Sequence, residues 1–313
     1  MDTIYFVIPC YNEEDVLRET AKQLTAKMGH LISEGIVSKD SRILFVDDGS
    51  KDSTWSIIEE LHRDEPNISG LKLSRNRGHQ NALLAGLMTV KDDADAIISM
   101  DADLQDDVDT IDSFVEQYKK GYDVVYGVRK NRRSDTVFKR MTAQAFYKLM
   151  NLMGAEVIYN HADFRLMSRK AIEALSDYHE TNLFLRGIVP MIGFRSTSVT
   201  YDRKERFAGH TKYPFRKMLS FASDGILSFS VKPIKMITSL GFLVFLVSIG
   251  MLIYFLYSYS TGRAVEGWTT IVISTWAIGG LQLLAIGVIG EYIGKIYLES
   301  KKRPRYTIDQ YLK

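Results

Sequence analysis

The first half of the chain alternates short, continuous apolar runs with segments of helical periodicity. Such runs are typical of strands buried on both faces, as in a parallel sheet. They lie at residues 3–9, 42–46, 71–73, 96–100 and 123–128, and two further strands are predicted at 162–167 and 196–201. The helical segments fall between consecutive strands. This alternation predicts an α/β fold with a doubly wound, mostly parallel, Rossmann-like sheet.

Two longer apolar runs, at about residues 234–257 and 268–290, lie in the last third of the chain. The only charged side chains between Met236 and Gly290 are Arg263 and Glu266. At 1.5 Å per residue each run can cross a hydrocarbon core of ~30 Å, so two transmembrane helices are predicted. A buried helical hairpin of a soluble protein is the alternative. Lys and Arg flank the outer ends, which predicts cytoplasmic termini.

The charge and apolar patterns divide the chain into four parts. Residues 1–213 form a predicted cytoplasmic α/β domain, 214–232 an amphipathic interfacial segment, 233–294 the two spans, and 295–313 a basic cytoplasmic tail. The formal net charge of +2 gives no reason to expect a nucleic-acid partner. A single cysteine, Cys10, excludes an intramolecular disulfide. The amino-terminal residues lack the basic region of a signal peptide.

Acidic side chains follow the apolar run at 96–100. In an extended chain residues i and i+2 project to one side, so Asp101 and Asp103 should present two carboxylates at the carboxyl end of a strand. Hard oxygen ligands of this kind suit Mg²⁺ or Mn²⁺, with substrate phosphates completing the coordination. The alternative is an acidic turn that caps the next helix.

The segments VIPCYNEE, VDDGSKDST and MDADLQDD, in this order, resemble the inverting glycosyltransferases of family 2, which have the GT-A fold. The segments HADFRLMSR, RFAGHTKY and GEYIGKIYLESKKRPRY follow, the last after the two spans. The whole pattern is similar to the polyprenyl-phosphate glycosyltransferases, the group that contains bactoprenol glucosyltransferase and dolichol-phosphate mannose synthase. The resemblance covers nearly the whole chain.

The resemblance implies roles for residues on the donor side. The nucleotide pocket would consist of Pro9, Tyr11, Glu13, Asp48, Asp101 and Ala102. Asp48 would accept a hydrogen bond from the base, although Asp47 and Asp48 could instead cap a turn. Asp101, Asp103 and Gln105 would hold the divalent cation against the donor pyrophosphate, where it neutralises the charge that grows on the leaving group.

On the acceptor side the resemblance implies a lipid phosphate, which is largely a dianion at neutral pH and already nucleophilic. Cations should therefore matter more than a general base. The candidates are Arg129, Lys139, Arg140, Arg206 and Lys212. Lys139 and Ala143 stand where family members often have arginine and serine, which leaves that contact open. Asp163 matches an acid near the acceptor; orienting the acceptor or Arg165, proton removal and a strand-end cap are its three readings.

These residues predict a metal-dependent enzyme of the plasma membrane, with Asp103, Asp163, Arg129 and Arg206 as catalytic residues. It would move one sugar from a nucleotide-sugar, with UDP favoured, to undecaprenyl phosphate. Another lipid or polysaccharide acceptor and a non-catalytic membrane scaffold are the alternatives. Gly290 and Gly294 form a GxxxG step, which predicts close helix packing and a homo-oligomer such as a tetramer.

Overall fold

The computed structural model describes residues 1–129, 161–180, 183–202, 232–261 and 267–313. Several predictions from the sequence lie outside these residues. They are the helix at about 136–153, all but the last residue of the interfacial segment 214–232, and the acceptor candidates Lys139, Arg140, Arg206 and Lys212.

An eight-stranded mixed sheet forms the centre of the described fold. Its strands are β1 (Ile4–Cys10), β2 (Arg42–Asp47), β3 (Ile68–Leu73), β4 (Ala96–Ser99), β5 (Val124–Arg129), β6 (His161–Ser168), β7 (Ser196–Tyr201) and β8 (Ile308–Leu312). The order is β7-β5-β6-β4-β1-β2-β3-β8. The strands β3, β2, β1 and β4 are mutually parallel, as are β5 and β7, whereas β6 and β8 run antiparallel to their neighbours. The predicted α/β fold with a mostly parallel sheet is therefore confirmed.

Helices cover both faces of the sheet. One face packs against α1 (Leu17–Ser33), α2 (Thr54–Asp64) and α4 (Thr110–Lys119). The other packs against α3 (His79–Val90), α5 (Arg169–Ser176) and α6 (Leu185–Met191). Each face has its own apolar cluster, because the central strands are buried along their length and direct alternate side chains to opposite sides. This is the three-layer arrangement expected of βα alternation.

The two predicted apolar runs lie within long helices, α7 (Lys232–Ser260) and α8 (Trp268–Ser300). By length and composition, residues Lys232–Met251 and Ile278–Ser300 can each cross a membrane. Large apolar side chains such as Phe242 and Leu283 are exposed on their surfaces. A buried hairpin would hide such side chains, so the helices are better suited to lipid than to a protein core. Helix α8 also continues nearly three turns past the predicted end at 290, as far as Ser300.

The carboxyl-terminal residues differ from the tail that the sequence predicts. After α8 the chain returns to the sheet, and β8 pairs antiparallel with β3 at its edge. The amide of Ser74 donates to the carbonyl of Thr307 (2.9 Å), and Arg305 donates to the carbonyl of Tyr178 (2.6 Å). Residues 295–313 are thus partly the end of α8 and partly sheet edge. A short strand with a single partner gives too weak a periodicity to be recognised in the sequence.

Candidate active site

Parallel strands end at one edge of the sheet, and the loops that leave this edge are tied to one another. After β1, the amide of Asn12 donates to Ser50 Oγ (3.0 Å), and Asn12 Oδ1 accepts from the amide of Lys51 (2.9 Å). Glu14 and Ser53 are linked in the same way. The loops after β1 and β2 therefore form one unit. Tyr11 is exposed on it, Glu13 is half-buried and Pro9 lies inside β1.

The carboxylates of Asp47 and Asp48 are buried and accept hydrogen bonds from backbone amides. Asp47 accepts from the amide of Ser50, which caps the turn after β2. Asp48 accepts from the amides of Arg77 (2.6 Å) and Gly78 (2.8 Å), which fixes the chain just before α3. The capping alternative is therefore observed for both residues. A hydrogen bond from a nucleotide base to the carboxylate of Asp48 stays a prediction.

Asp101 and Asp103 lie in a turn, which differs from the geometry that the sequence predicts. Strand β4 ends at Ser99, and Leu104 adopts a left-handed conformation (φ +55°). The amide of Gln105 donates to Asp103 Oδ1 (3.2 Å), which closes the turn. The chain therefore bends as it leaves the sheet, and the joint presentation of both carboxylates to a ligand stays a prediction. Both carboxylates nevertheless lie at the predicted edge, and both are half-buried.

The donor set of this turn fits a divalent cation. Two partly accessible carboxylates, with an amide oxygen close by in the chain, supply hard ligands and leave the other positions to phosphate and water. Asp106 follows in the same loop, buried, and its Oδ2 has no hydrogen-bond partner in the described part of the chain. Among those same residues no group of three or more His, Cys, Asp or Glu side chains forms a closed metal site. A cation here would therefore depend on ligands from the substrate.

Asp163, at the start of β6, lies between two arginines. Its Oδ1 contacts Arg165 Nη2 (2.6 Å) and its Oδ2 contacts Arg186 Nη2 (2.9 Å). Burial raises the pKa of Asp163, but the charges of Arg186 and Arg165 outweigh burial and bring that pKa well below its ordinary value. A carboxylate with such a low pKa is a poor proton acceptor at neutral pH. Of the three roles considered for Asp163, the orientation of Arg165 is the one with a contact in the structure.

His79 and Arg186 are site residues that the sequence analysis missed. His79 Nε2 lies 3.4 Å from Asp101 Oδ1 and 3.7 Å from Asp163 Oδ2, so it lies close to both carboxylates. His79 begins α3 and follows Gly78, whose positive φ (+88°) directs the chain into the helix. Both residues come from elements far from the recognised motifs. A histidine after a strand at the carboxyl edge was the available signal for His79.

Arg129 ends β5 beside the acidic loop. Its Nη2 donates to Asp106 Oδ1 (3.2 Å) and its Nε donates to Tyr201 Oη (3.2 Å). The charges of Asp106 and Asp101 raise the pKa of Arg129 although burial lowers it. The structure therefore brings one of the predicted acceptor cations to the edge that carries Asp101. The cluster of carboxylates and arginines at this edge can bind a cation and an anion next to each other.

The chain belongs to the glycosyl transferase family 2, whose family model matches residues 5–176. The uncharacterized glycosyltransferase YkoT of Bacillus subtilis is 55% identical over 97% of this chain and 90% of its own length. Bactoprenol glucosyl transferase of Shigella phage SfX is 39% identical over 97% of this chain and 98% of its own. Mannosyl-3-phosphoglycerate synthase from Rubrobacter xylanophilus, a solved structure, has 16% identity and a TM-score of 0.48, covering 71% of each chain. The family resemblance recognised in the sequence is confirmed.

Proposed function

We propose that this protein is a membrane-anchored inverting glycosyltransferase that moves one sugar from a nucleotide-sugar, with UDP favoured, to undecaprenyl phosphate on the cytoplasmic face. The observation that carries the proposal is the carboxyl edge of the sheet, where Arg129 at the end of β5 lies close enough to Asp101 to feel its charge. Relatives named bactoprenol glucosyl transferase support the acceptor, because they match this chain over nearly its whole length. The apolar helices α7 and α8 support the membrane location.

On the donor side, Pro9, Tyr11, Glu13, Asp48 and Ala102 would surround the nucleoside. Asp101, Asp103 and Gln105 would hold Mg²⁺ or Mn²⁺, which when bound neutralises the negative charge of the departing nucleoside diphosphate. The two carboxylates would also orient the pyrophosphate so that the anomeric carbon faces the acceptor. The half-buried position of both side chains leaves them accessible to a ligand.

On the acceptor side, the lipid phosphate attacks the anomeric carbon from the face opposite the leaving group, which inverts the configuration. Arg129 would hold this phosphate, with Lys139, Arg140, Arg206 and Lys212 as predicted partners. A phosphate dianion carries its own nucleophilic oxygen and has no proton to lose at the attacking atom. The low pKa of Asp163, caused by its two arginines, agrees with a role in orientation rather than in proton removal.

The test is transfer by purified full-length protein from a panel of nucleotide-sugars, with Mg²⁺ or Mn²⁺, to undecaprenyl phosphate or to diacylglycerol. We expect product only with the phosphate-bearing lipid, detected by mass spectrometry. The Asp103→Asn variant should lose turnover by at least about a hundredfold, as expected when a charged group that stabilises the transition state is removed. Transfer to diacylglycerol would favour another acceptor. Full biological complementation by the Asp103→Asn variant would favour a scaffold.

A homo-oligomer, such as a tetramer, stays a prediction from the small residues of α8. Light scattering of the detergent-purified protein measures the assembly directly. A mass equal to a single chain would contradict it.

A further inference from the structure

We propose that Asp106 and Tyr201 are positioning residues that fix the guanidinium of Arg129 for the acceptor phosphate. The inference rests on the transfer reaction proposed above and goes further, because it assigns roles to two side chains that do not themselves contact a substrate. We refer to Asp106, Tyr201 and Arg129 together as the arginine clamp.

Strand pairing brings the arginine clamp together. Arg129 and Tyr201 are the last residues of β5 and β7, and they are direct partners in the parallel register. Asp106 comes from the loop after β4. Tyr201 Oη donates to Asp106 Oδ1, Arg129 Nη2 donates to the same oxygen (3.2 Å), and Arg129 Nε donates to Tyr201 Oη (3.2 Å). The three side chains thus form a closed triangle of hydrogen bonds.

Asp106 and Tyr201 are more deeply buried than Arg129, the residue that would bind the phosphate. Asp106 is 1% exposed and Tyr201 is 4% exposed, whereas the Arg129 side chain is 26% exposed. Two buried groups therefore hold a cation that still reaches the surface of the site. An arginine side chain loses much rotamer freedom when it binds a phosphate, and fixing it beforehand removes that cost from the binding step.

The phenol ring of Tyr201 is fixed by packing. Its ring lies edge-on to Phe164, with centroids 5.4 Å apart and planes at 86°. Gly127 allows this approach, because a Cβ there would lie 3.0 Å from Tyr201 Cε1 and 2.9 Å from the carbonyl oxygen of Phe164. The hydroxyl group is therefore held in one place and can direct the guanidinium.

The carboxylate of Asp106 is poorly explained by stability alone. Its Oδ2 is buried with no hydrogen-bond partner in the described structure, and burying a charge with an oxygen left unpaired is costly. Asp106 also lies only three residues after Asp103, in the loop of the proposed cation site. The arginine clamp therefore links the loop that would hold the donor to the cation that would hold the acceptor, and a functional constraint accounts for the retained charge.

The first measurement is the acceptor KM of Tyr201→Phe and Asp106→Asn in the full-length protein. We expect KM for undecaprenyl phosphate to rise about tenfold, the effect of losing one hydrogen bond to a charged group. The affinity for UDP with Mn²⁺ and the unfolding temperature should change little in Tyr201→Phe. The matched control is Tyr118→Phe, which removes a half-buried hydroxyl on α4 that contacts the carbonyl of Asp95. Its acceptor KM should match that of the wild type.

The second measurement is a double-mutant cycle with Arg129→Gln. If Tyr201 acts through Arg129, adding Tyr201→Phe to Arg129→Gln should raise the acceptor KM no further. Independent, multiplicative effects would overturn the inference, and so would reduced stability and kcat without a selective rise in acceptor KM. An unchanged acceptor KM in Tyr201→Phe, with wild-type transfer intact, would overturn the arginine clamp alone. Wild-type protein that transfers no sugar to undecaprenyl phosphate would overturn the proposed function and the inference together.

Discussion

At the scale of single residues, the candidate site is organised by buried ion pairs. Asp163 contacts Arg165 and Arg186, and Asp106 contacts Arg129. These two buried carboxylates are matched by guanidinium groups, because a charge away from water is tolerated only when it is paired. The pairs also keep the arginines in defined positions at the sheet edge. An arrangement of this kind suits the binding of anionic substrates better than the removal of a proton.

The Asp163→Asn variant tests the buried pair. At neutral pH we expect it to lower the free energy of unfolding by about 3–5 kcal/mol, because two guanidinium groups lose their countercharge. The folded-state pKa of Asp163 is depressed, so its ionised form stabilises the fold above the unfolded pKa of about 3.9, and this contribution is lost as the pH falls below that value. The difference between the wild type and the variant should therefore shrink below about pH 4 in denaturant unfolding between pH 3 and 8.

Asp112→Asn is the matched control for that measurement. Asp112 is exposed and pairs with Lys27 (3.0 Å) at the surface of the domain. Exposed pairs contribute at most about 1 kcal/mol, so its effect should be small. A loss of stability in Asp163→Asn that is the same at every pH would contradict the pairing argument.

At the scale of elements, α3 must lie close to the sheet to bring His79 to the site. Gly86 permits this, since a Cβ there would lie 2.5 Å from Val7 Cγ1 and 2.7 Å from Val46 Cγ2. Both neighbours are β-branched side chains of central strands and cannot move away easily. The apolar character of α3 predicts burial from the sequence, but not this closeness.

The Gly86→Ala variant should lower the free energy of unfolding by about 1–3 kcal/mol, because the added methyl group overpacks the core. Gly29→Ala in α1 is the control: a Cβ there meets nothing within 4 Å. Replacing an exposed helical glycine with alanine should stabilise the fold by roughly 0.5–1 kcal/mol. Thermal unfolding of both variants measures the two changes in stability. An equal effect of the two substitutions would contradict the close packing of α3.

At the scale of the whole molecule, the apolar helices α7 and α8 lie between segments of chain that both belong to the sheet. The chain leaves the domain before α7 and returns after α8, where β8 completes the sheet beside β3. The ion pair of Lys313 with Asp93 (2.9 Å) adds a contact at the end of the chain. The sheet edge therefore includes residues that lie beyond both apolar helices.

We expect the full-length protein to sediment with membranes, to resist extraction by high salt and by alkaline carbonate, and to be released by detergent. The physical reason is that burying the exposed Leu, Ile and Phe side chains of two apolar helices in lipid gives a far more favourable free energy of membrane binding than a contact at the membrane surface does. Fractionation followed by immunoblotting measures this. Release by salt alone would contradict membrane spanning.

The positions along the chain of seven of the eight described strands, the helix that follows β3 and the two apolar runs could be predicted from the sequence, because each depends on local periodicity. The edge that carries Asp101, Asp103 and Asp48 also followed, since parallel strands end together. The sequence left the turn at Asp101 as an alternative only, because its bend depends on the left-handed backbone at Leu104.

Contacts between distant segments were decided by the tertiary structure alone. Asp163 contacts Arg186, 23 residues away in the sequence, and Asp106 contacts Tyr201, 95 residues away. No local sequence pattern therefore predicts either contact. The return of β8 to the sheet is of the same kind, because a strand is defined by its partner. Periodicity records which face of an element is buried, whereas the identity of the neighbour depends on how the whole chain packs.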